Sequence, residues 1–107
     1  MSGVTLAQAQ KLAYQIFKEI NEEKKLEWSP FVVMTDLLEE AGEVASTVKG
    51  LEGYKAPEKP KTKEMLANEL SDLLYSLFVL AEMYGIELEE TYLKTVKGYK
   101  ARFLRNK

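Results

Sequence analysis

The segment from Thr62 to Gly85 constrains the fold more than any other part of the chain. Leu73, Leu74, Leu77, Phe78, Val79, Leu80 and Ala81 leave its second half almost without a polar side. A helix of that kind has to lie at the centre of a bundle or in a contact between chains. Thr62 is placed to cap its start and Gly85 to stop its end. One narrow polar line breaks the apolar surface, formed by Glu69, Asp72 and Ser76 with Met65 on the same line. At about 100° per residue these four share one edge of the helix and border the leucines. An acid in that position gives up hydration and needs something to compensate it.

A second segment has the same character. Ser29-Pro30 is an N-cap followed by proline at the first helical position, which predicts a helix from Pro30 to about Gly50. Met34, Leu37, Leu38, Ala41, Val44, Ala45 and Val48 fall on one arc, and Asp36, Glu40, Glu43 and Thr47 form a polar stripe along its border, whereas Glu39 and Lys49 point elsewhere. Glu40 with Glu43, and Glu69 with Asp72, are therefore acids one turn apart, a spacing that repels. If the two helices pack antiparallel, the stripes face each other and offer an all-oxygen site. Carboxylates without nitrogen or sulfur partners suit magnesium or manganese. Calcium fits less well, since no EF-type loop is present. With 30% of residues charged, such spacings also arise by chance, and solvated acids or acids paired with lysines are the alternative.

The remaining segments complete an all-α chain. Thr5 and Gln8 form a capping-box pattern, and Leu6, Ala9, Leu12, Ala13, Ile16, Phe17 and Ile20 recur at helical spacing to about Glu23. A fourth helix is expected from about Leu88 to Leu104, with Leu88, Tyr92, Val96, Tyr99 and Phe103 inward and Gly98 as its weak point. Residues 50–61 combine Gly, Pro and Lys without any period and read as a loop. No segment alternates as a strand does. The expected architecture is a four-helix bundle-like protomer, a single domain over residues 1–107, that assembles as a helical homo-oligomer.

Composition removes several chemistries. With no Cys and no His, thiolate nucleophiles, Ser-His-Asp relays, disulfides and the usual zinc sites are excluded. A net charge of -2 argues against stable nucleic-acid binding, although from Lys94 onward there are bases and no acids. No apolar run is long enough to span a bilayer and no N-terminal signal pattern is seen, so no membrane partner and a cytoplasmic location are expected.

Leu38-Glu39-Glu40-Ala41-Gly42-Glu43-Val44, followed after the loop by Asn68-Glu69-Leu70-Ser71-Asp72-Leu73-Leu74-Tyr75, resembles the MazG-type nucleotide pyrophosphohydrolases of an all-α superfamily, whose pattern is EExxE followed by ExxD. The resemblance runs from Trp28 to the basic tail, Lys97 to Arg105. It implies that Glu40, Glu43, Glu69 and Asp72 bind magnesium, with manganese as a substitute, and that a nucleoside triphosphate is split to monophosphate and pyrophosphate by water attacking the α-phosphorus. No protein nucleophile is needed, which fits a chain without Cys or His. Among the catalytic acids Glu39, Glu40 and Glu43, the first would position a water or bond across a subunit boundary. Similar proteins place phosphate-binding bases where Lys94, Lys97 and Arg102 stand, and Lys55, Lys59 and Lys61 lie on the loop. Trp28 would stack on the base, or staple its helix to the core. Family membership also suggests a homodimer or a dimer of dimers, with a role in nucleotide-pool control or house-cleaning.

Two rivals stand beside this reading. Phosphoribosyl-ATP pyrophosphohydrolase of histidine biosynthesis has a comparable run, but Ser76 stands where histidine is expected in that enzyme. A non-catalytic helical dimerisation module would keep the same helices with acids that serve only solubility.

Overall fold

The structure, a computed structural model, describes residues 3–54 and 59–104; Lys55 and Arg105 therefore lie outside the described residues. Four helices form, α1 Leu6–Lys24, α2 Pro30–Leu51, α3 Lys63–Met83 and α4 Leu88–Phe103, each ending within a residue or so of its expected bounds. Among the described residues there is no strand.

The ends follow from local chemistry. Thr5 Oγ1 accepts from the Gln8 backbone N–H at 3.0 Å while the Gln8 side chain accepts from the Thr5 N–H at 2.8 Å, so two orphan donors are satisfied reciprocally. Ser29 and Thr62 cap α2 and α3 through Val32 and Met65. Gly85, at φ 65°, takes the left-handed turn that lets the Ile86 N–H return to the Ala81 carbonyl at 2.9 Å and ends α3. At the other end of the α2–α3 connection, a Cβ on Gly50 would collide with Cγ of Lys61, so the lysine stem crosses α2 only because glycine is there.

Helices α2 and α3 make the most extensive contact, α1 lies across α3, and α4 leans on α1. The core is small. Phe17, Val33 and Val79 are buried together, with Tyr14, Trp28, Tyr75, Leu80 and Met83 packed around them. Gln10, also buried, ties three elements: its Nε2 donates to Glu82 Oε2 and the Ile86 carbonyl, and its Oε1 accepts from the Leu88 N–H.

Much of the predicted inward surface is outside. On α4, Leu88 is half-buried but Tyr92, Val96, Tyr99 and Phe103 are exposed, the last at 70%. Leu12, Ile16 and Ile20 of α1, Met34, Leu38 and Val48 of α2, and Leu70, Leu74 and Leu77 of α3 are exposed too. The physical reason is geometric: among the described residues α4 has one substantial neighbour, α1, and the groove between α1 and α3 lined by Leu12, Ile16 and Leu74 is open. The radius of gyration, 16.9 Å, exceeds the roughly 13 Å of a compact 100-residue domain. Among the described residues, no helix is long and apolar enough to cross a membrane.

Candidate functional site

The two polar stripes meet along the seam of α2 and α3. Ser76 Oγ donates to Asp36 Oδ2 at 3.3 Å and so fixes the register of the antiparallel pair. One turn along, Asp72 is the strongest of the charges acting on Glu40. Asp36 with Ser76 and Glu40 with Asp72 thus bring the two polar stripes together at two successive turns.

Glu40 and Glu69 are half-buried, whereas Glu39, Glu43 and Asp72 are exposed. Glu40 Oε2 and Glu69 Oε1 are buried atoms that accept no hydrogen bond from the described residues, and the hydroxyl of Thr47, fully buried, likewise has no partner among them. An unsatisfied buried polar group costs about 1–3 kcal/mol and a charged one more. All three lie on helices α2 and α3. The Glu40 carboxyl is pushed above its ordinary value, first by burial and then by the charges of Asp72, Glu43, Asp36 and Glu39. Burial and the Asp36 charge likewise raise the Tyr75 phenol.

The acids are strung along the seam instead of gathered at one point. Among the described residues, no three acidic side chains converge closely enough to hold a metal ion as they stand. The donors on offer, all oxygen, with buried oxygens lacking partners, fit a hard cation.

The other expected residues are placed as follows. Trp28 is half-buried and meets Phe17 edge-on, ring centroids 5.7 Å apart. It both packs on the core and lines a cavity beside the seam. Lys94, Lys97 and Arg102 are exposed on α4, which packs on α1, so one chain does not bring them to the acids on α2 and α3. Arg102 lies over the rings of Tyr99 and Phe103. Lys59 is exposed and Lys61 is held against Gly50. Asp36, Thr47 and Ser76 belong to the seam although the acidic motifs do not mark them. Their common signal is position, since each falls on the same helical line as the marked acids.

A family model described as the MazG nucleotide pyrophosphohydrolase domain matches residues 29–103. The chain is 36% identical over 70 residues, 60% of its length, to the uncharacterized protein YvdC of Bacillus subtilis (strain 168), and this match spans 66% of that protein, just under two thirds. It is 28% identical over 88 residues to the uncharacterized protein YpjD of the same organism, covering 82% of this chain and 79% of that one. No solved structure matches.

Proposed function

Because the chain belongs to the MazG nucleotide pyrophosphohydrolase family, we propose that it splits a nucleoside triphosphate into monophosphate and pyrophosphate, with Glu40, Glu43, Glu69 and Asp72 holding magnesium, or manganese in its place. The observation that carries this reading is the pair of buried, unpartnered carboxylate oxygens on Glu40 and Glu69, one on each helix of the seam. Acids kept for solubility would be hydrated, and acids kept for ion pairs would have lysines. When bound, magnesium supplies positive charge for the triphosphate and an activated water.

The chain's own residues do the remaining work. Glu40 and Glu69 offer oxygens from inside the seam, and Glu43 and Asp72 close it from the exposed side. Glu39, exposed and about 100° round the helix from Glu40, holds a water or a group from a second chain. That second chain belongs to the proposal: a homodimer or dimer of dimers would cover the exposed Leu12, Ile16 and Leu74, and its α4 would bring Lys94, Lys97 and Arg102 to the phosphates. Phosphoribosyl-ATP as substrate is disfavoured, because Ser76 donates to Asp36 where a histidine is expected in that enzyme. Cellular roles in pool control or removal of damaged nucleotides follow from the reaction.

The test is a screen of normal and damaged nucleoside triphosphates with Mg²⁺, scored for pyrophosphate and repeated with chelator. The expected result is metal-dependent release from at least one substrate. No release from any, together with no Mg²⁺ binding by calorimetry, would leave the helical module as the answer.

A further inference from the structure

Beside the acidic seam lies a cavity of about 180 Å³ whose walls include Phe17, Trp28 and Tyr75 and whose polar groups are Asn21, Asp36, Ser76 and the Tyr75 hydroxyl. It opens between the end of α1 and the start of α2, against the middle of α3. Phe17 and Trp28 stand at 87° to each other and Tyr75 comes from α3, so aromatic surface lines the cavity from more than one element. A flat heteroaromatic ring suits such walls better than a branched aliphatic side chain.

The polar end narrows the choice further. Ser76, buried, spends its single proton on Asp36 Oδ2, which leaves the serine oxygen with lone pairs only. The Asp36 carboxylate can only accept. Asp36 and Ser76, two acceptors side by side, repel a carbonyl oxygen and call for an N–H donor, while the Asn21 amide and the Tyr75 hydroxyl can serve an acceptor on the same ligand. An apolar occupant would strand the carboxylate in a dry cavity. The matching ring carries an exocyclic amino group beside a ring acceptor, as cytosine and adenine do; uracil and thymine present a carbonyl at that place.

Position points the same way. Asp36 is one helical turn from Glu40 and two from Glu43, about 6 and 10 Å along the axis, and Ser76 is one turn from Asp72 across the seam. A ring held in the cavity therefore leaves a sugar and phosphates lying over the acids. We propose that this cavity is the base subsite and that Asp36, backed by Ser76, selects nucleotides whose base bears an amino group of the cytosine or adenine kind. The proposal rests on the hydrolase reading above for the fate of the phosphates, but the ring's recognition is testable without hydrolysis.

Trp28 is the only tryptophan in the chain, so its fluorescence reports occupancy of the cavity directly. The experiment titrates the intact protein with CMP, AMP and UMP, and in parallel measures pyrophosphate release from CTP, ATP, UTP and TTP with Mg²⁺. CMP and AMP should perturb Trp28 at about 10-fold lower concentration than UMP, with kcat/KM ordered the same way. Asp36→Asn should erase most of that preference, since an amide can donate to the uracil carbonyl, and Ser76→Ala should weaken it. Equal affinity for UMP and CMP in the wild-type protein overturns the selection. So does an Asp36→Asn variant that keeps the preference. Pyrophosphate release without any Trp28 response refutes the subsite and leaves the hydrolase reading standing. An amino-selective Trp28 response without release from any triphosphate supports the subsite and refutes hydrolysis.

Discussion

The α2–α3 seam and the exposed apolar surface spread over all four helices are opposites, and each is the reverse of what burial rules lead one to expect. The seam buries oxygens of Glu40, Glu69 and Thr47 without partners, whereas the outer surface leaves Leu12, Leu38, Leu74 and Phe103 in solvent. Buried polar atoms without partners and exposed apolar patches are both unfavourable in an isolated chain. The common reading is that each region is complementary to something the chain does not supply: a cation and an anionic substrate for the seam, a second copy for the outside. The proposed site shared between two copies would complete both regions at once.

The largest effect should come from breaking the seam. Glu43→Gln and Asp72→Asn keep shape and remove a charge each, and pyrophosphate release should fall by at least ~100-fold with the folded state intact. Rates near wild type in a coupled pyrophosphate assay would dissolve the contrast between the two regions. Next in size is the outer surface. Leu74→Glu places a charge in an exposed apolar groove that it forms with Leu12, Ile16 and Phe78. Self-association in sedimentation equilibrium should weaken by roughly 10–100-fold if a second copy covers it. An unchanged assembly, or a wild-type protein that is monomeric at micromolar concentration, would count against the interface.

Smaller effects sharpen the link between the regions. Replacing Lys97 and Arg102 together by alanine should raise KM for a triphosphate by roughly 3–10-fold with little change in melting temperature, since both are exposed. An unaltered KM would mean that α4 does not reach the phosphates even from a partner. The smallest effect concerns pH. Glu40 has its folded-state pKa raised above the ordinary 4.5, by burial first and neighbouring acids second. A raised carboxyl contributes stability that is fully present below its unfolded pKa and is lost as pH rises through the folded value. In the metal-free protein, Glu40→Gln should therefore be more stable than wild type at pH 7, and the gap should close as pH falls toward about 4.5. Melts in chelator across that window check it, and a gap that widens toward acid would give the wrong sign.

Helix boundaries and the acidic seam were legible in the sequence because both depend on local rules. Thr5, Ser29, Thr62 and Gly85 mark ends by their own backbone chemistry, and the period that places Glu40 over Glu43 also fixes Asp36 and Thr47 on the same line. Antiparallel packing of α2 and α3 entered the sequence reading only as a condition, and their register is set by a contact between the two helices, Ser76 with Asp36. What failed was the inward face of α4. Its apolar period predicts a covered face but cannot say by which molecule, and among the described residues Tyr92, Val96, Tyr99 and Phe103 are exposed. The partnership of Ser76 with Asp36, and the cavity beside it, were hidden for a related reason: they depend on how Trp28 and Phe17 pack, which no periodicity encodes.

The central claim is that the seam's acids are held for a cation and cost stability without it. The most direct measurement compares thermal melts of the wild-type protein and a Glu40→Gln/Glu69→Gln variant, each with chelator and with saturating Mg²⁺. Free metal at 100 times its dissociation constant should stabilise the wild type by about 2.7 kcal/mol, a shift of several degrees. The variant should melt at or above the metal-free wild type in chelator and gain little from magnesium. A variant that melts lower in chelator yet shows the full magnesium shift would contradict the account.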